Sequence, residues 1–254
     1  MFKKTDIIFL LVLAMIPALV FSQEKKAEAK SFCMFTGAYT LQAPGGDLKT
    51  RFGLNSNIGG SFLYKHKSNV FFEINSNFIF GDALEEESRT ILDGVTDSEG
   101  HIINEHGEFA KVVLSERGFF VGGRLGYIFP VLKGNPNSGI MFSAGGGLLQ
   151  HKIRIDNDGN NAPQILDDYK KGYDKLTNGF ALTEFVGFVY FGKKHLVNFY
   201  FGVEFYQAFT QSRRSYDFNL MAPDTQKRKD LLSGIKVGWI IPIYKRMPDP
   251  FYFN

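Results

Sequence analysis

At 254 residues, 44% hydrophobic, with a mean hydropathy of −0.11, the chain is too polar to be a bundle of membrane helices. A net charge of +3 is too small to argue for a nucleic-acid partner, and none is expected. The single cysteine, Cys33, excludes an intrachain disulfide and a cysteine-based metal cluster.

The chain starts like a secretory signal. Lys3 and Lys4 form a charged start, Ile7 to Val20 an apolar stretch, and Phe21-Ser22-Gln23 a cleavage site. Residues 1–22 are therefore expected to direct export, and 23–31 to form a flexible lead-in. The competing reading, a single membrane anchor, fits less well because the apolar run is short and Pro17 interrupts it.

Eight strand-like stretches follow, each alternating between an apolar and a polar face. The first, Phe32 to Gln42, sets Cys33, Phe35, Gly37, Tyr39 and Leu41 on one face, and Pro44-Gly45-Gly46-Asp47 is read as the turn that ends it. The second, Arg51 to Tyr64, carries Ile58, Phe62 and Tyr64 against Asn57, Gly59 and Ser61. Lys65 to Asn69 reads as a turn. In the third, Val70 to Phe80, Val70, Phe72, Ile74, Phe78 and Phe80 oppose Glu73, Asn75 and Asn77.

Gly81 to Glu108 is long, acidic and polar. The fourth strand, Val112 to Phe129, sets Phe119, Val121, Leu125, Tyr127 and Phe129 against Gly122, Arg124 and Gly126. After the turn Lys133 to Ser138 comes the fifth, Gly139 to Ile155, with the run Gly145-Gly146-Gly147 at its middle. Asp156 to Lys175 is a second long polar segment. The sixth strand, Leu176 to Phe191, alternates less cleanly, and a bulge there would leave Glu184 on either face. The seventh, Leu196 to about Arg213, opposes Phe199, Phe201, Val203, Phe205 and Phe209 to Asn198, Tyr200, Glu204 and Tyr206. The eighth, Leu231 to Tyr244, opposes Ile235, Val237, Trp239, Ile241 and Ile243 to Lys236, Gly238 and Pro242.

The connections alternate too. Those starting near Pro44, Gly81, Asp156 and Ser215 are long and mostly acidic; those carrying Lys65, Lys67, Lys133, Lys193 and Lys194 are short and basic. An up-and-down barrel with long loops on one side and short turns on the other has this rhythm. Face parity alone leaves open whether the apolar side points in, as in a soluble lipocalin-like barrel, or out to lipid. The near-unbroken, Phe-rich apolar faces favour lipid. So does strand length, which exceeds the ~9–11 residues that cross a bilayer. The expected architecture is all-β: an eight-stranded antiparallel up-and-down transmembrane β-barrel over 32–246, with a tail over 247–254.

The chain resembles the small outer-membrane β-barrel proteins of the OmpA-barrel and OmpX type, in their Bacteroidota form. The resemblance rests on Gly37-Ala38-Tyr39, Gly59-Gly60-Ser61-Phe62, Gly123-Arg124-Leu125-Gly126-Tyr127 and Gly234-Ile235-Lys236-Val237-Gly238-Trp239. It implies the fold and an outer-membrane location; the even strand number puts both termini on the short-turn side, which is periplasmic in such barrels. It departs in the tail, which follows the closing strand where a terminal aromatic residue is the family's habit.

The candidate site is the set of charges expected to face the lumen: Glu73, Arg124, Glu184, Glu204 and Lys236. Two readings compete, an ion path and a hydrogen-bonded plug; the narrow interior of eight strands favours the plug. Of the five histidines, His66 and His195 fall in turns, His101 and His106 in a mobile acidic loop, and His151 above Ser143 on one face of the fifth strand. No catalytic triad assembles from them. Asp156-Asn157-Asp158-Gly159-Asn160 resembles the start of a calcium loop, but its twelfth position is Asp167 between strands, so a plain loop is favoured. No catalytic residue, cofactor or metal is expected.

The leading reading is a non-enzymatic outer-membrane barrel with a structural or partner-binding role, one candidate role being accessory to an export or assembly machine of the envelope. It would contact outer-membrane lipid and another envelope protein through its long loops. The alternatives are a small pore, a lipid-modifying enzyme dependent on His151, and a soluble periplasmic barrel holding an apolar ligand.

Overall fold

The computed structural model describes residues 29–192 and 197–243. The signal of residues 1–22, residues 23–28 of the lead-in, the basic turn at Lys193, Lys194 and His195, and the exit Lys245-Arg246 with its tail lie outside the described residues.

Eight antiparallel strands close into one ring in chain order: β1 (Phe32–Gly46), β2 (Asn55–Lys65), β3 (Val70–Gly81), β4 (Val112–Pro130), β5 (Gly139–Asn157), β6 (Thr177–Phe191), β7 (Asn198–Ser212) and β8 (Lys227–Ile243). Sequential neighbours pair throughout. The ring shuts where β8 meets β1, from Cys33 opposite Ile243 to Gly46 opposite Asp230.

The faces fall as the alternation requires. Phe35, Tyr39, Ile58, Phe72, Phe201, Val237 and Trp239 stand exposed on the outside, with Leu125 64% and Ile235 66% accessible. Asn57, Glu73, Asn75, Asn77, Arg124, Glu204 and Lys236 are buried within. The apolar faces therefore point outward, the reverse of a soluble ligand-carrying barrel. At the short-turn end of the outer wall, Tyr190, Phe199 and Trp239 lie side by side across three strands. Tyr127 packs on Phe129 at 4.7 Å. Such an aromatic girdle suits a membrane interface.

Four sequence expectations are corrected. Pro44 and Gly45 continue β1, because β8 begins as early as Lys227 and supplies them with partners Leu232 and Leu231. Beyond Gln42 that stretch has no β2 partner, and the edge of a ladder is where proline is tolerated. The reversal comes one step later: Gly46 has φ +60, and a Cβ there would sit 2.3 Å from the Lys229 carbonyl oxygen. Residues 51–54 precede β2 instead of belonging to it. Lys65 is not a solvated turn residue. It ends β2, points inward and is fully buried, its ammonium donating to Asn137 Oδ1 at 3.0 Å and lying 5.6 Å from the Phe32 ring centre. Finally, β6 carries no bulge; its register runs unbroken against β5 and β7, which fixes Glu184 on the outer face.

The long loops are also more than polar connections. Leu48, Phe52, Ile91, Leu92, Ile102, Ala162, Ile165 and Tyr173 are buried in one apolar cluster with the inward residues Ile79, Phe120, Leu149, Ile153, Ala208 and Leu232. A few apolar side chains in each polar loop thus fold it over the mouth of the barrel. His101 and His106 sit in that structured segment, His101 stacked on Phe109 at 4.3 Å.

Candidate functional site: the closed lumen

The inward faces meet in three tiers. The lowest, toward the short turns, is apolar: Met34, Leu63, Phe71, Ile128, Met141 and Ile240 are buried together. The space left open there is about 10 Å³, room for about one water molecule.

Above it lies the charged tier. One oxygen of Glu204, Oε1, accepts from Arg124 Nη2 at 2.5 Å and from Lys236 Nζ at 2.8 Å. Its other oxygen accepts from Thr40 Oγ1 at 3.5 Å. Arg124 also donates to Thr183 Oγ1 at 2.7 Å and to the Tyr206 hydroxyl at 3.3 Å, with its guanidinium 5.8 Å from the Tyr206 ring centre. Asn77 Nδ2 donates to the same hydroxyl at 3.0 Å. Glu73 stands opposite Arg124 in the β3–β4 register. Two cations thus face two carboxylates from β3, β4, β7 and β8. Charges withdrawn from water need such pairing, because an isolated one in a low-dielectric interior is very costly. The structure brings together Glu73, Arg124, Glu204 and Lys236; it does not bring Glu184 into this group.

The third tier lies at the loop end and was not anticipated. His151 Nε2 and Asp230 Oδ2 are 2.9 Å apart, and Thr210 Oγ1 donates to the same Asp230 oxygen at 2.5 Å. Phe52 packs edge-on against the His151 ring at 5.7 Å. Asn55 Nδ2 donates to Glu116 Oε2 at 2.9 Å, and Arg51 bridges to Glu87 at 3.0 Å and to Thr177 at 3.1 Å. Parity was the signal that could have found two of these. Asp230 shares the inward parity of Lys236, and Glu116 that of Arg124. Asp230 escaped notice because the eighth strand was read as starting at Leu231. Arg51 precedes β2; it opens the stretch read as the second strand, on the parity of Asn57, but was not picked out as a candidate.

Glycine placement fits the lumen to its contents. Gly122 and Gly147 flank the Phe120 ring, and a Cβ on either would meet that ring at 2.5 or 2.8 Å. The glycine run of β5 therefore makes room for an inward aromatic, and Phe120 packs on Tyr206 at 5.0 Å. His151 has a carboxylate partner, but its neighbours are Asp230, Thr210 and Phe52, with Ser143 eight residues down the strand. No cluster of three or more metal-ligating side chains occurs among the described residues. In the calcium-like stretch, Asp156 and Asn157 end β5, and residues 158–160 form a short 3-10 turn.

No family model matches the chain, and no curated protein matches it in sequence. Among solved structures it is similar to Ail, the attachment invasion locus protein of Yersinia pestis, crystallised with the heparin analogue sucrose octasulfate. That likeness has 6% identity and a TM-score of 0.45, and spans 83% of this chain and 99% of that one. Neisserial surface protein A gives 10% identity and a TM-score of 0.43 over 82% of this chain and 96% of that one. The outer membrane protein OprG of Pseudomonas aeruginosa gives 11% and 0.37 over 86% and 99%. At these identities and scores the likeness concerns the path of the chain alone.

Proposed function

We propose that this protein is a non-conducting, non-enzymatic β-barrel of a Gram-negative outer membrane that holds a folded loop cap outside the cell for another envelope protein to bind. The carrying observation is the closed lumen. A charged tier crosses it at mid-height, side chains fill it below, and the loops cover it above. An eight-stranded ring is only wide enough for its own side chains, so the long-loop surface is left as the place where function resides. The exposed apolar wall and its aromatic girdle support the membrane setting. The start of β1 at Phe32 and the end of β8 at Ile243, on the same side as the short turns, support periplasmic termini.

Two measurements test this. In isolated outer membranes the unboiled protein should run faster on a gel than the boiled one, as closed barrels resist detergent. Protein recovered wholly in a salt-washed soluble fraction would sink the membrane reading. The purified barrel in planar bilayers should give no stepwise conductance. Steady ionic current altered by Glu73→Gln would replace this reading with a pore.

A further inference from the structure

On the outer wall, Glu184 is the middle residue of β6, six residues from Asn178 at the loop-end rim and six from Tyr190 in the aromatic girdle. Its cross-strand neighbours are Ala144 and Phe205, and Leu182 and Val186 flank it along the strand. All other outward charges among the described strand residues, Arg117, Lys152, Arg154, Asp156, Lys227 and Lys229, lie toward the loop end. The Glu184 carboxylate makes no hydrogen bond or ion pair among the described residues.

Resting on the membrane reading above, we infer that Glu184 marks a docking surface on the barrel wall. Its occupant is a membrane-embedded segment of a different envelope protein that presents a lysine or arginine at mid-bilayer depth. The argument is one of charge. An ionisable group at the bilayer centre carries a cost that pairing relieves, modest for a carboxylate on a barrel wall, and such groups mark interaction or transport sites. A lipid headgroup lies roughly 15 Å away, half the ~30 Å hydrocarbon thickness. Among its described residues a second copy of this chain offers no outward cation within the apolar band, and a two-fold contact centred here would set Glu184 against Glu184. The wall position beside the carboxylate is small: Ala144 stands directly opposite on β5, with Leu125 beyond it and the Phe180 ring over Gly146.

The test is made on native outer membranes, with a photoreactive residue at Val186 and, as control, at Ile58 on the opposite wall. A heteromeric adduct is expected at Val186 and none at Ile58. Mass spectrometry should map it to a membrane segment containing lysine or arginine. It should fall at least tenfold in Glu184→Leu and Glu184→Lys, and partly return in Glu184→Asp. Dicyclohexylcarbodiimide, which modifies carboxyls in apolar surroundings, should label Glu184 in the purified barrel and spare it in native membranes. An adduct between two copies, lipid adducts alone, an adduct indifferent to Glu184→Leu, or equal labelling in both settings would each overturn the inference. The boiling shift, read on the same membranes, separates these failures from failure of the membrane reading.

Discussion

Glu204 and Glu184 stand on neighbouring strands, one residue out of register, on opposite faces of one wall. Inside, Glu204 is fully buried and has two cations and a hydroxyl within reach. Outside, Glu184 is flanked by Ala144 and Phe205. The same functional group is satisfied within the chain on one face and left to the surroundings on the other. The difference separates two uses of charge: one locks a fold, and the other, on the inference above, is met by a partner.

Removing each carboxylate sharpens the contrast. Glu204→Leu strands Arg124 and Lys236, and should cost about 3–5 kcal/mol, the usual penalty for breaking a buried pair. It should read as a lower urea midpoint and loss of the fast-running unboiled band. Ile91→Ala acts on the cap alone. It should weaken the cap by roughly 2 kcal/mol, at the low end for such a truncation, exposing residues 82–111 to added protease while the boiling shift persists. Glu184→Leu should have the opposite sign to Glu204→Leu, raising the midpoint of the purified barrel by less than about 2 kcal/mol, since a lipid-facing carboxylate is a modest burden.

The smallest effect concerns pH. Burial raises the carboxyls of Glu87 and Asp224 in the outer loops. Hydrogen bonds and charge from Thr50 and Arg51 for Glu87, and from Arg228 and the Gln226 amide for Asp224, outweigh it, so both end below the ordinary range. A depressed folded pKa gives stability that is present above the unfolded value of about 4 and lost as pH falls through the folded one. Protease resistance of the cap should therefore hold from neutral down to about pH 4 and decline below it. A decline that begins well above pH 4 would overturn the assignment to these two carboxylates.

The ring itself was legible in the sequence, because a period of two in apolar residues survives any uncertainty at strand ends. Glu73, Arg124, Glu204 and Lys236 were found by the same parity. Glu184 was misplaced because β6 has apolar residues on both faces. Phe185 and Val189 fill the lumen while Leu182 and Val186 face outward, so the pattern could not say which way the carboxylate pointed. The cap was hidden for a different reason. Its anchors, such as Phe52, Ile91 and Ile165, are lone apolar residues in polar segments, and a loop has no period from which to read them.

The seam between β1 and β8 has a bearing on how the molecule is made. It unites Cys33 with Ile243, a separation of 210 positions, whereas the other seven strand pairs join neighbours in sequence. Contacts so distant along the chain form late and slowly. Until the last strand arrives, β1 presents an unpaired edge, and such an edge invites pairing with other chains. In the outer-membrane setting proposed above, the polypeptide would cross the periplasm with its two terminal strands kept apart from foreign strands. Whatever inserts it must hold β1 until β8 is delivered, so truncation within residues 227–243 should block assembly even with the first seven strands intact.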